Sequence, residues 1–320
     1  MALVGLASGG LCLDRGMLVR QSWFPMDGSS QLPITASTPS YAKRRARALI
    51  GWLSEQEGTL WAAGRDQQAA ATQPEHLEAC KRARQWVAAR APGIDQSNLF
   101  QPIPAELEPH IKALNAEAES AQVLATSGEI RIVDLRRVCA AQPHILVEDA
   151  MHRIDGITAG DILALAAVTL PLPKREQFPV TFNPLNNTWL LASPNPNLRV
   201  IGHFNTSVGP GFSGFGFAVG QQQSYMQVAG INGRYFLRDG YHRAYGLVAS
   251  GITHAPALVK DFNTLEEAQM PPGLLPQSAY LGERPPLLVD YLDNTVAVDT
   301  MVPSTTKMIL IQALEVSSIA

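Results

Sequence analysis

Residues 232–262 read NGRYFLRDGYHRAYGLVASGITHAPALVKDF, and the parsing of this stretch decides the fold. Arg234 to Arg238 predicts a short strand. Asp239-Gly240 predicts a tight turn, because glycine has no Cβ to hinder the bend or the approach of a ligand. A helix is expected from about Tyr241, with Ala244, Leu247 and Val248 on its buried face and Ser250-Gly251 at its end. Ala255 to Val259 is expected as the next strand.

Most of the polar chemistry of the chain gathers on that turn. The first amides of a helix have no partner within it and point at whatever lies before them. A phosphate placed there meets backbone N–H groups, the positive end of the helix dipole and the guanidinium of Arg243. His242 can donate to a phosphate or move a proton near neutral pH. Asp239 can orient His242, bind a divalent ion, or act as a base on a hydroxyl. The competing reading is an Asp-capped helix with an exposed His and Arg; the density of the cluster favours function.

Upstream, residues 1–40 are rich in Gly, Ser and Pro, with strands expected near 2–6 and 17–24, a loop from Asp27 and a helix cap at Ser40. Tyr41 to Glu57 has helical spacing, with Ala46, Leu49, Ile50 and Leu53 on one face. The basic residues Lys43, Arg44, Arg45 and Arg47 then read more readily as a solvated helix face than as an anion or nucleic-acid patch. A second helix is expected over 73–91, with Leu77, Cys80, Ala83, Trp86 and Val87 inward, and a third from about Ala105. Glu129 opens a different pattern. Residues 130–135 alternate as a strand, and Thr158 is a fair cap for a helix ending near Thr169. Strands are expected at 180–182, 188–191 and 198–201.

Gly209-Pro210-Gly211-Phe212-Ser213-Gly214 fits a dinucleotide fingerprint by letter only. That motif needs a helix directly after the glycines. Here Phe212, Phe215 and Phe217 alternate with glycine, so a flexible loop or aromatic flap is expected. Beyond 262, a proline-rich connector (271–286) precedes expected strands at 287–302 and 307–316.

The bulk properties narrow the class. The chain has 320 residues, 46% hydrophobic, with a formal net charge of −3. It can bury a sizeable core, and no global field draws it to nucleic acid. Cys12, Cys80 and Cys139 show no CxxC spacing, which argues against a structural zinc site or a disulfide framework. No apolar run of membrane-spanning length occurs, so no membrane partner is expected, and the cytoplasm is the expected compartment.

At DGYHRAYGL followed by APALV, the sequence resembles the ParB/sulfiredoxin-like superfamily, whose members share a G-x-[HR]-R turn. Leu135 to Pro143, with Gln142-Pro143, is similar to the upstream element of that family. The resemblance covers roughly 130–262 and is strongest over about 30 residues; the DG-x-HR form is most similar to the free-serine-kinase branch. The helical spacing upstream predicts a mainly helical N-terminal region over 1–128, and the resemblance implies an α/β domain with a mixed sheet over 129–320, so an α+β chain is expected. The resemblance implies phosphate contacts at Gly240, Tyr241, His242, Arg243 and Gln142, with catalysis by Asp239, His242 and Glu148, the last standing for an upstream glutamate of the kinase branch. The implied cofactor is a nucleotide (ATP, ADP or CTP) with Mg²⁺, and the implied activity is phosphotransfer to a small hydroxyl acceptor. A non-catalytic nucleotide- or anion-binding regulator and a ParB-like nuclease are the alternatives. Two departures limit the carry-over. Tyr241 stands where sulfiredoxins place a catalytic cysteine, which argues against sulfinic-acid reduction, and no DNA-binding helix-turn-helix follows the motif. The segment 150–225 is also longer than the family's usual insertion.

Overall fold

The computed structural model describes residues 43–173, 180–193, 198–221, 224–271, 273–304 and 307–312. The expected strands and loop of residues 1–40, the Ser40 cap and Cys12 lie outside them.

The described chain enters as a strand, which corrects the helix expected over 41–57. β1 (Lys43–Ala48) pairs antiparallel with 144–146 on one side and with 298–303 on the other. Ala46 and Ala48 are fully buried on its inner face, Ile50–Trp52 turn as a short 3-10 segment, and α-helix begins only at Glu55. The spacing of Ala46, Leu49, Ile50 and Leu53 fits a helix equally well, and long-range pairing overrides it. Of its arginines, Arg45 is exposed, Arg44 is half-buried and Arg47 is buried. Arg44 pairs with Asp149 at 2.7 Å and Arg45 with Glu148 at 3.6 Å. Arg47 is buried, donating to Tyr291 O and Asn294 Oδ1.

Three helices follow. α1 (Glu55–Ala62) starts at Ser54, whose hydroxyl accepts the Glu57 N–H at 3.2 Å. α2 (Gln67–Thr72) and α3 (Pro74–Ala89) complete the group, with Pro74 in the first turn of α3. Cys80 and Ala83 are buried as expected, but Trp86 is 57% exposed. β2 (Phe100–Gln101), α4 (Glu108–Ala116) and α5 (Ala118–Ser127) lead to β3 (Glu129–Asp134). Next come β4 (His144–Leu146), α6 (Val147–Arg153) and α7 (Ile162–Thr169). The cap of α7 is Asp161, which accepts from the Ala164 N–H at 2.9 Å; the helix does not begin at Thr158.

β5 (Thr181–Asn183) and β6 (Thr188–Ser193) precede a long hairpin, β7 (Leu198–Gly209) and β8 (Phe212–Gln221). The Gly/Phe segment is therefore paired strand, not a loop, with Gly211 at φ 78° in its turn. No helix follows the glycines, so the fingerprint by letter has no structural counterpart.

The decisive stretch folds as β9 (Gln227–Ile231), β10 (Arg234–Asp239), α8 (Tyr241–Ala249) and β11 (His254–Phe262). β9 and β10 form a hairpin closed by Asn232-Gly233, both at positive φ, the geometry that suits strand twist. α8 then carries the chain over to β11, which lies parallel to β9. The five-stranded sheet has the order β10-β9-β11-β3-β2 and is mixed. Residues 139–141 run along the outer edge of β10: Cys139 N donates to Tyr235 O at 3.0 Å, and Leu237 N donates to Cys139 O at 2.9 Å. This edge is thereby covered.

A short helix, α9 (Gln277–Tyr280), precedes the final strands, β12 (Val298–Pro303) and β13 (Lys307–Gln312). The strand expected over 287–302 is strand only from Val298. Asp290 accepts the Leu287 N–H at 2.7 Å and pairs with Arg90, so 288–292 wind into a 3-10 turn.

Successive side chains of β3 point to opposite faces. Val133 joins the main core with α8 and the β1 region, while Ile130 and Ile132 join a second cluster with Leu107, Leu114, Ala166 and Leu170. The chain is α+β with a mixed sheet. The division expected at 128/129 is not a structural boundary, because β2 pairs with β3 and β1 lies between β4 and β12. Residues 41–320 form one compact unit. Among the described residues, no helix is long and apolar enough to cross a membrane.

Candidate functional site

The site is built where β10 ends and α8 begins. Gly240 has φ 94°, and a Cβ there would lie 3.1 Å from the Met226 Cα, so the position accepts glycine for both reasons. Asp239 Oδ1 accepts the Gly240 N–H at 2.6 Å and fixes the turn. The first bond into the helix runs from Ala244 N to Gly240 O at 2.9 Å. The amides of Tyr241, His242 and Arg243 therefore have no intrahelical acceptor, and Gly240 offers no side chain to cap them. Tyr241, His242 and Arg243 line a cleft of about 400 Å³.

Guanidinium groups dominate that cleft. Arg153, Arg199, Arg238 and Arg243 line it, with Asp239 as the one carboxylate among its described lining residues. Arg243 is buried. It donates to Val168 O at 3.0 Å, to Ser224 O at 2.5 Å and to Ser224 Oγ at 2.9 Å, three of its five N–H donors. Burial lowers its pKa to about 10, still above neutral pH, so a charged guanidinium sits in a desolvated position. Ser224 Oγ in turn donates to Asp239 Oδ2 at 2.8 Å. Ser224 thus links the arginine to the carboxylate.

His242 lines the cleft, but its Nε2 accepts the Leu146 N–H at 3.2 Å. Burial, then the nearby Arg153 charge, lowers its pKa to about 4. The ring is neutral at pH 7 with its proton on Nδ1, which makes it a hydrogen-bond donor to a ligand and a poor general base. Tyr241 is buried, with its hydroxyl donating to Leu237 O and accepting the Ala141 N–H at 2.9 Å. That hydroxyl ties α8 to the 139–141 strip; it is occupied by the backbone, not offered to a phosphate. Gln142 reaches the cleft, with its Nε2 donating to His144 O at 2.7 Å.

Glu148 is not brought to the cleft. It sits in the first turn of α6, and its carboxylate accepts the Arg45 N–H at 3.1 Å. Of the residues expected from sequence, the fold brings Asp239, Gly240, Tyr241, His242, Arg243 and Gln142 together and places Glu148 elsewhere. Arg153, Arg199, Arg238 and Ser224 join the cleft without having been expected there. Arg238 stands next to Asp239 and was the one within reach of sequence reasoning. The others come from separate segments with no spacing to connect them.

The donor set fits a phosphate-bearing ligand. Among the described residues, no group of three His, Cys, Asp or Glu side chains is placed to hold a metal ion. A Mg²⁺ carried on nucleotide phosphates needs only one or two protein carboxylates, and Asp239 is available for that. No family model, curated protein or solved structure matches this chain.

Proposed function

We propose that the chain is a ParB/sulfiredoxin-like nucleotide-binding protein that holds the nucleotide's phosphates at the N-terminus of α8. One observation carries the reading: the first turn of α8, with no side-chain cap, and four arginines line the same cleft, with Asp239 the one carboxylate among its described lining residues. An anion there gains charge-assisted hydrogen bonds in a partly desolvated setting and offsets the cost of burying Arg243. The nucleotide itself, ATP, ADP or CTP with Mg²⁺, comes from the family resemblance.

Arg153 is the better probe of this idea than Arg243, because it is exposed at the end of α6 whereas Arg243 is buried. Arg153→Ala is expected to weaken nucleotide binding about tenfold or more by calorimetry. Unchanged affinity, with the wild type binding, removes the phosphate-cleft reading.

A second reading, phosphotransfer to a small hydroxyl acceptor, rests on Asp239 lining the cleft. Its carboxylate has lone pairs beyond the two bonds it accepts, enough to orient a hydroxyl or a phosphate-bound Mg²⁺. The displacement of Glu148 and the engaged Nε2 of His242 favour binding without turnover. Transfer of phosphate from a nucleotide panel to hydroxyl acceptors, lost in Asp239→Asn, decides for the enzyme.

A further inference from the structure

We propose that the base of the bound nucleotide lies in a second hollow beside the arginine cleft, against Leu265, Met270 and Leu274. The idea rests on the phosphate-site reading and adds where the rest of the ligand goes. The two hollows share a wall, since Gln269 and Pro271 line both. Gln269 holds a left-handed backbone, φ 46°, which non-glycine residues adopt rarely and which the surrounding structure must impose.

The chemistry changes across that wall. On one side stand four arginines and the first turn of α8, and on the other Leu265, Met270, Leu274 and Tyr280, with Thr264, Glu266 and Gln277 as polar lining. A phosphate tail belongs with the first surface. A planar, weakly polar heterocycle belongs with the second, where thioether and alkyl groups pack its faces and a few polar groups read its edge. The second hollow has a volume of about 590 Å³, room for a nucleoside beside the 400 Å³ cleft.

The floor of the hollow is fixed by the strand that delivers the phosphate turn. Tyr280 lies buried at the base, edge-on to Phe236 with ring centroids 5.6 Å apart. Arg234 donates to Tyr280 O at 3.1 Å and to Gly282 O at 2.8 Å. Arg234 and Phe236 are on β10, which ends at Asp239. β10 therefore runs from the Tyr280 side of the hollow to the phosphate turn.

The test is calorimetry on the full chain with ATP, CTP and inorganic tripolyphosphate, for the wild type and Leu274→Trp. At least one nucleotide is expected to bind the wild type about tenfold or more tighter than tripolyphosphate. Leu274→Trp, which fills the hollow, is expected to erase that margin while leaving tripolyphosphate binding in place. Tripolyphosphate binding as tightly as both nucleotides, or a margin that survives Leu274→Trp, overturns the base site and leaves the phosphate site standing. Binding of none of the three removes the phosphate-site reading and this proposal with it. Photolabelling of the wild type with 8-azido-ATP gives an answer that needs no variant. Label within residues 264–280 supports the proposal, and label confined to other segments overturns it.

Discussion

At the scale of single residues, the site depends on a short relay: Arg243 to Ser224 Oγ, and Ser224 Oγ–H to Asp239. The relay sets a cation and an anion on one hydroxyl, so each holds the other in place through a group that is itself uncharged. Ser224→Ala leaves a buried Arg243 donor and an Asp239 oxygen without that partner. A buried donor left unpaired costs about 1–3 kcal/mol, more where the group is charged. Thermal or denaturant unfolding is expected to show a loss of that size, and phosphate affinity is expected to fall with it as Arg243 loses its fixed direction. Ser224→Thr keeps the hydroxyl and is expected to restore affinity. Equal stability of Ser224→Ala and the wild type would show that the relay contributes nothing.

At the scale of elements, α8 is the pivot, and its placement turns on Gly246. A Cβ at Gly246 would lie 2.7 Å from Ala150 O and 2.9 Å from Ile154 Cγ1, so this residue sets how closely α8 approaches α6. Gly246→Ala gains about 1 kcal/mol of helix propensity. Overpacking against a backbone carbonyl costs about 1–3 kcal/mol, and it wins. Net destabilisation of up to about 2 kcal/mol in urea is expected, because the Ala150 carbonyl belongs to α6 and cannot turn aside. The same element shows what sequence can and cannot convey. The 239–243 turn was legible because its signals are local: a strand, a glycine at a left-handed position, a helix start. β1 was misread because its apolar spacing fits a helix, and only pairing with residues about 100 and 250 positions away makes it a strand. Glu148 was misplaced for the same reason: the partner that takes its carboxylate, Arg45, lies on β1. Arg153 and Arg199 reach the cleft through the sheet arrangement and α6, which no local pattern encodes.

At the scale of the whole molecule, two half-buried histidines, His144 and His242, set how stability changes with acidity. His144 is stacked on Trp61 with ring centroids 4.2 Å apart, and its Nδ1 is buried with no hydrogen-bond partner among the described residues. Burial lowers its pKa, and that of His242, from 6.5 to about 4. The sign follows from linkage. As pH falls below 6.5 the unfolded chain takes up both protons, while the folded chain stays neutral at these sites until about pH 4. Their contribution to stability is therefore lost between those limits and is gone below them. Each group contributes about 2 kcal/mol after allowance for its partial exposure. The carboxylates act elsewhere. Asp134 and Asp293 have pKa values held below 3.8, so their contribution is lost only at lower pH. Asp290, raised by burial, works in the opposite sense and removes part of the histidine slope. Urea midpoints are expected to fall steadily from pH 6.5 to 4.5. His242→Gln, whose amide can still accept from Leu146 N–H, is expected to reduce that fall by roughly half. A wild-type midpoint that is flat across this range would mean that neither imidazole is held neutral by the fold.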